Sequence, residues 1–208
     1  MVEALIEKVN SVKRTAIAKL VEQRASEFEA VFADDSKVFS ELCFCLTTAN
    51  SSAEMGIRVQ NALRGRLETL TRKELSVELR KLGYRFYNKR AEYIDDAKQW
   101  HDIKKKMKEF RNELQLREWL VENILGFGYK EASHFLRNVG FKGVAILDRH
   151  VLRTMHEHAM IKELPKTLNK KIYLEYEQKL DEVCKRTNLD HARLDLYLWY
   201  MKTGKVLK

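Results

Sequence analysis

Apolar residues recur at helical spacing along almost the whole chain. Leu5, Val9, Val12, Leu20, Val21, Phe28 and Phe32 mark one long first segment, broken at Asp34 and Asp35. The spacing predicts a second helix from about Lys37 to Leu46, after which the polar stretch TTANSS interrupts the pattern as a loop. Further helices are predicted at about Ala53–Leu63, Arg72–Leu82, Asn88–Trp100, Leu114–Leu125, Lys130–Asn138 and Arg149–His158. Two more, at about Leu168–Arg186 and Leu189–Lys202, follow, with Asn188 suited to cap the last. One Pro and eight Gly in 208 residues leave few breaks, and no series of alternating segments competes as strands. The expected fold class is all-α, in one domain or two small, closely packed helical subdomains.

Composition narrows the class without deciding it. Hydrophobic residues make up 45% of the chain, but no apolar run approaches the ~20 residues that span a bilayer. The N-terminal MVEALIEKVNSVKR lacks the charged start, apolar centre and small-residue cleavage site of a leader, so an intracellular chain with no membrane partner is expected. Cys43, Cys45 and Cys184 are odd in number and show no ligand-like repeat; the first two, in ELCFCL, read as small buried hydrophobes. Neither a disulfide framework nor a metal site is expected. Thirty-nine Lys and Arg against thirty Asp and Glu give a net charge of +9, which points to a polyanion or an acidic surface as partner. The run KKKMKEFRNE around Lys104 reads as a solvated charged face.

The chemistry concentrates in LVENILGFGYKEASHFLRNVGFKGVAILDRHVLRTM. An apolar helix ends at Leu125, Gly126 and Gly128 make a tight hairpin, and a second helix begins near Tyr129. Alternate glycines let the backbone turn sharply, while the following helix start directs free N–H groups and its positive dipole end outward, a fit for a DNA phosphate. A plain helix–helix turn uses glycine just as readily. Lys130 directly follows the hairpin, where the positive helix end and neighbouring burial favour the neutral, nucleophilic amine. Eighteen positions later Asp148 closes the apolar strip GVAIL and opens another helix, so that a lysine and a carboxylate are presented as a pair. Taken separately, Lys130 also reads as a phosphate contact and Asp148 as an ordinary N-cap.

On these residues the sequence resembles the helix-hairpin-helix DNA glycosylases, and within them the compact archaeal-type 8-oxoguanine DNA glycosylase/AP lyases. LGFGYKEAS and LDRHVLR carry the resemblance over roughly Leu120–Met155; the helical organisation and the C-terminal KTGKVLK extend it more loosely over the chain. Iron-sulfur relatives have four closely spaced cysteines near the C-terminus, where only Cys184 stands here. Larger relatives add an N-terminal β domain for which this chain has neither the length nor the strand pattern. The resemblance implies a single glycosylase unit over residues 1–208, with the helix-hairpin-helix at about 114–138 and the catalytic aspartate segment at about 144–158.

It further implies an enzyme that flips 8-oxoguanine out of double-stranded DNA, excises it with Lys130 as nucleophile and Asp148 assisting, and cuts the strand by β-elimination. No cofactor or metal is implied, and the chain is expected to act as a monomer. By the same resemblance Gly126, Gly128 and His150 contact the DNA backbone, and Asn50 enters the gap left by the flipped base. Phe86 and Trp199 sandwich that base, and Lys208, held in the pocket, helps to separate 8-oxoguanine from guanine. Each has a plainer reading: Phe86 and Trp199 as core, His150 as an exposed helix residue, Asn50 as part of a cap, Lys208 as a frayed end. Other readings of the whole are a glycosylase for another oxidised base, a noncatalytic hairpin module that binds DNA, and a helical scaffold.

Overall fold

Twelve α-helices and no strand form among residues 2–208, which the computed structural model describes. They are α1 (Val2–Lys13), α2 (Ile17–Val31), α3 (Asp35–Thr48), α4 (Ala53–Ala62), α5 (Arg72–Lys81) and α6 (Tyr87–Ala97). After a 3-10 turn at Lys98–Trp100 come α7 (Ile103–Met107), α8 (Glu113–Asn123), α9 (Tyr129–Asn138), α10 (Arg149–Glu157), α11 (Lys170–Thr187) and α12 (His191–Thr203). Among the described residues no helix is long and apolar enough to cross a membrane.

Three local expectations fail for identifiable reasons. The long first segment is two helices, because Thr15 Oγ1 donates to Val12 O and accepts from Ile17 N, diverting the backbone at Arg14–Ala16. Asn188 does not cap α12; it ends α11 in the left-handed region (φ 52°), which Asn tolerates, and Asp190 caps α12 by accepting from Arg193 N at 2.8 Å. The charged run around Lys104 keeps Lys105, Lys108, Glu109 and Arg111 exposed, as a solvated face does, but it also carries a helix that the apolar spacing did not predict. It folds as α7, which buries Ile103 and Met107 while Lys104 pairs with Asp35 at 2.7 Å.

Two hydrophobic clusters hold the chain together. The first centres on α3, whose Val38, Phe39, Leu42, Phe44 and Leu46 are surrounded by α4 to α9; encirclement on all sides explains the continuous apolar run there. The second joins α1, α2 and α10 to α12, and takes in Ala145 and Leu147 from the strip before α10. Cys43, Cys45 and Cys184 are buried free thiols, and burial pushes all three well above an ordinary thiol pKa, which suits packing and not nucleophilic attack.

The strip 143–147 is irregular, so its polar backbone groups need side-chain partners. Glu113, the first residue of α8, accepts from Lys142 N and Gly143 N. Deeper in, Glu177 Oε1 accepts from Ala145 N at 2.7 Å, and the Tyr173 hydroxyl donates to Ala145 O at 2.7 Å and accepts from Leu147 N at 3.2 Å. Glu177 is itself held by Arg117 in a two-pronged pair at 2.6 and 2.7 Å, with Arg117 wholly buried. Residues of α8 and α11 thereby fix the segment that delivers Asp148.

Candidate functional site

The hairpin depends on Gly126 and Gly128 for different reasons. Gly126 has φ +93°, and a Cβ there would stand 2.4 Å from the Tyr93 ring, so conformation and close approach both require glycine. Gly128 is extended (φ −106°, ψ −175°) and caps α9; its N–H donates to Glu131 Oε2 at 3.3 Å. The first bond of the helix runs from Ala132 N to Gly128 O, leaving the amides of Tyr129, Lys130 and Glu131 ahead of the ladder at its positive end. Lys130, on this first turn, has about a quarter of its side chain exposed and, among the described residues, pairs within 4 Å only with Glu131, at 3.4 Å.

Asp148 is a true N-cap: its Oδ1 accepts from His150 N and Val151 N, each at 2.8 Å. Among the described residues its other oxygen accepts no hydrogen bond. Capping therefore locks the carboxylate in place and leaves half of it available.

A cavity of about 950 Å³ opens where the two clusters meet. Lys130, Asp148, Asn50, His150, Trp199 and Lys208 all line it. The His150 and Trp199 rings meet edge-on with centroids 5.0 Å apart. Asn50 is exposed with φ 58°, beyond the end of α3; Thr47 and Thr48, expected in that loop, are buried in the last turn of α3, and Ser52 caps α4 through Met55 N. Phe86 is not on the cavity wall. It is half-buried against the first cluster, with the guanidinium of the cavity-lining Arg85 4.3 Å over its ring.

The C-terminal tail turns back at Gly204 (φ +71°) and carries Lys208 into the cavity. Its ammonium donates to Glu41 Oε1 and Gln60 Oε1, both at 2.5 Å, and lies 4.4 Å over the Phe44 ring. Glu41 also accepts from Gln60 Nε2 at 3.0 Å and Asn138 Nδ2 at 2.8 Å. The socket for the last residue of the chain is thus assembled from α3, α4 and α9.

Asp195, Arg137 and His134 are among the cavity residues that escaped the sequence reading. Asp195, on α12, pairs with the buried Arg137 at 3.3 Å; burial, assisted by Asp148 and opposed by Arg137 and Lys130, leaves its carboxyl pushed up to about 6. His134, one turn beyond Lys130, is 8% exposed, and burial with the cations Arg137, Lys130 and Lys208 holds its imidazole well below the usual pKa. Glu54, Glu131, Asp148 and Asp195 thus share one cavity wall with Arg85, Lys130, Arg137, Arg149 and Lys208.

The comparisons with known proteins agree with one another. The model of a family described as 8-oxoguanine DNA glycosylase matches residues 21–189. A Methanocaldococcus jannaschii protein named 8-oxoguanine DNA glycosylase/AP lyase is 50% identical over 206 residues, 98% of this chain and 99% of its own. One of the same name from Korarchaeum cryptofilum is 45% identical over 208 residues, 100% of this chain and 99% of its own. Among solved structures, the M. jannaschii 8-oxoguanine glycosylase/lyase in complex with a 15mer DNA containing 8-oxoguanine superposes with a TM-score of 0.96 at 48% identity, covering 99% of this chain and all of the other. The 8-oxoguanine DNA glycosylase of Thermotoga maritima gives 0.94 at 42% identity, covering both chains fully. A glycine hairpin and a capped aspartate opening on one cavity, a family match over most of the chain and end-to-end identity near one half place this chain in the 8-oxoguanine DNA glycosylase family of helix-hairpin-helix proteins.

Proposed function

We propose that this chain excises 8-oxoguanine from duplex DNA and then cleaves the strand, with Lys130 as nucleophile and Asp148 as its electrostatic partner. The observation that carries this reading is that the starts of α9 and α10 present an amine and a half-free carboxylate to the same cavity. The M. jannaschii relative of matching fold, crystallised with DNA containing 8-oxoguanine, supplies the lesion.

The cost of extracting a stacked nucleotide, a few kcal/mol, is offset by phosphate contacts from the hairpin amides and the basic surface. With the sugar of the flipped nucleotide in the cavity, the Lys130 amine attacks the anomeric carbon as the bond to the base breaks, and the base leaves with the bonding electron pair. The Asp148 carboxylate stabilises the positive charge that develops on the sugar. Loss of the proton from the attacking nitrogen and opening of the sugar give an imine between Lys130 and C1′. Removal of a C2′ proton then expels the 3′ phosphate. Gly126, Gly128 and His150 hold the backbone, Asn50 borders the gap left by the flipped base, and Trp199 stacks on the base. Phe86 would serve as the second stacking face once Arg85 moves aside. The substrate places the protein with the cell's DNA.

The test is incubation with a duplex carrying 8-oxoguanine in the presence of borohydride, which reduces an imine to a stable link. A protein–DNA adduct should form with the lesion duplex and not with its guanine counterpart. Absence of an adduct on the lesion duplex, with strand cleavage intact, contradicts the lysine mechanism; absence of both contradicts the function.

A further inference from the structure

The buried polar atoms of the cavity contain an imbalance that the reaction above does not use. His134 has both ring nitrogens buried, and neither has a partner. In folded proteins almost every buried polar atom is paired, and an exception calls for a ligand or an ordered water. His134 lies four residues after Lys130 on α9, hence on the same helix face one turn deeper, and it lines the same cavity. Its ring stands edge-on to Phe44 with centroids 5.7 Å apart, and the other partner of Phe44 is the Lys208 ammonium, at 4.4 Å. The imidazole therefore shares the α9 face of Lys130 and meets the same Phe44 ring that the Lys208 ammonium covers.

The chemistry of the position narrows what it receives. Three cations and burial keep the ring uncharged, so it offers one N–H donor and one bare nitrogen. An uncharged donor this deep is a poor match for a phosphate, for which the free amides at the start of α9 are the better complement. Among the described residues no group of three potential metal ligands surrounds it. A flat, neutral ligand with carbonyl oxygens is the complement, and the flipped base attached to the sugar at Lys130 is such a group.

We propose that His134 holds the flipped base, its imidazole N–H donating to a carbonyl oxygen of 8-oxoguanine within the cavity. This rests on the function proposed above and adds a residue to its binding site. In the free protein the unpaired ring is a burden on stability, carried because the substrate relieves it.

The experiment compares His134→Leu and His134→Gln with the parent on two duplexes, one carrying 8-oxoguanine and one a preformed abasic site, alongside thermal melting. Leu fills a similar volume without polar atoms, so its Tm should equal or exceed the parent's. Excision of 8-oxoguanine should fall roughly 10- to 100-fold, the scale of a hydrogen bond lost with its partner left buried, whereas abasic-site cleavage should fall far less. Gln, which restores an N–H donor, should recover part of the excision. Parent-like excision by His134→Leu overturns the proposal, as does an equal fall in both activities, which would assign His134 to packing of α9. Failure of the parent itself to excise 8-oxoguanine overturns instead the function on which the proposal rests.

Discussion

Two lysines line the same cavity and are built for opposite tasks. Lys208 is immobilised by Glu41, Gln60 and the Phe44 face. Lys130 has a single carboxylate at 3.4 Å and stands on the first turn of a helix fixed by a hairpin. An amine whose hydrogens are committed to buried acceptors is a strut; one on a rigid backbone with a loosely held end is able to reach a sugar carbon. The difference teaches that position on a rigid element, with the nitrogen left uncommitted, is what sets the proposed nucleophile apart from an anchor of the same residue type.

The sharpest way to break the comparison is to remove one amine at a time. Lys130→Gln should lose excision, abasic-site cleavage and the trapped adduct altogether while still binding DNA; retention of the adduct would move the nucleophile elsewhere. Next in size is Glu177→Gln, which leaves Arg117 buried against a neutral amide and loosens the strip leading to Asp148. Breaking a buried pair in this way costs about 3–5 kcal/mol, readable as a lower unfolding free energy in urea. A change below about 1 kcal/mol would mean that the clamp is not what fixes the strip.

Asp148→Asn separates capping from charge. Asn caps a helix about as well as Asp, so stability should change little, while turnover should drop about 100-fold as the charge facing the sugar is lost. Equal turnover would reduce Asp148 to its cap. At the other end of the cavity, Glu41→Gln removes the charge that anchors Lys208. Excision of 8-oxoguanine should fall about 10-fold, in line with a lost charge-assisted bond, and cleavage at a preformed abasic site should fall much less. If the two fall together, the socket supports the fold and not the reading of the base.

The smallest effect concerns Asp195. Its carboxyl titrates near pH 6 in the folded chain, against 3.8 without the fold, so the folded state keeps its proton longer. Below about pH 4 both states are protonated. As the pH rises from about 4 to about 6 the unfolded chain ionises first and stability declines, and above about 6 the penalty is constant. Measured against Asp195→Asn across that window, the parent should lose Tm relative to the variant; a constant difference would show that Arg137 compensates the charge throughout.

The uneven legibility of the two ends has a physical origin. The turn, helix start and cap of the proposed reactive end were readable because Gly126, Gly128, Lys130 and Asp148 have residue requirements set by neighbours in sequence. The socket of Lys208 was not, because Glu41, Gln60 and Asn138 meet only through the packing of three helices. Glu41 in SELCFCL and Asp195 in RLDLYLW read as ordinary helix residues until the helices are packed. His134 left a faint sign: it shares the face of Lys130 at a spacing of four. The split between α1 and α2 was hidden because apolar spacing continues across it, and the break comes from the Thr15 hydroxyl. Phe86 could be placed only by packing, which sets its ring beside the cavity with Arg85 over it, so that its proposed stacking role needs Arg85 to move.

Because both ends of the cavity carry an amine, the most direct test is to ask which nitrogen bonds to DNA. The borohydride-reduced adduct formed on an 8-oxoguanine duplex can be digested with protease and nuclease and the modified residue located by mass spectrometry. The account predicts the sugar remnant on Lys130 alone; a remnant on Lys208, or spread over several lysines, would contradict it.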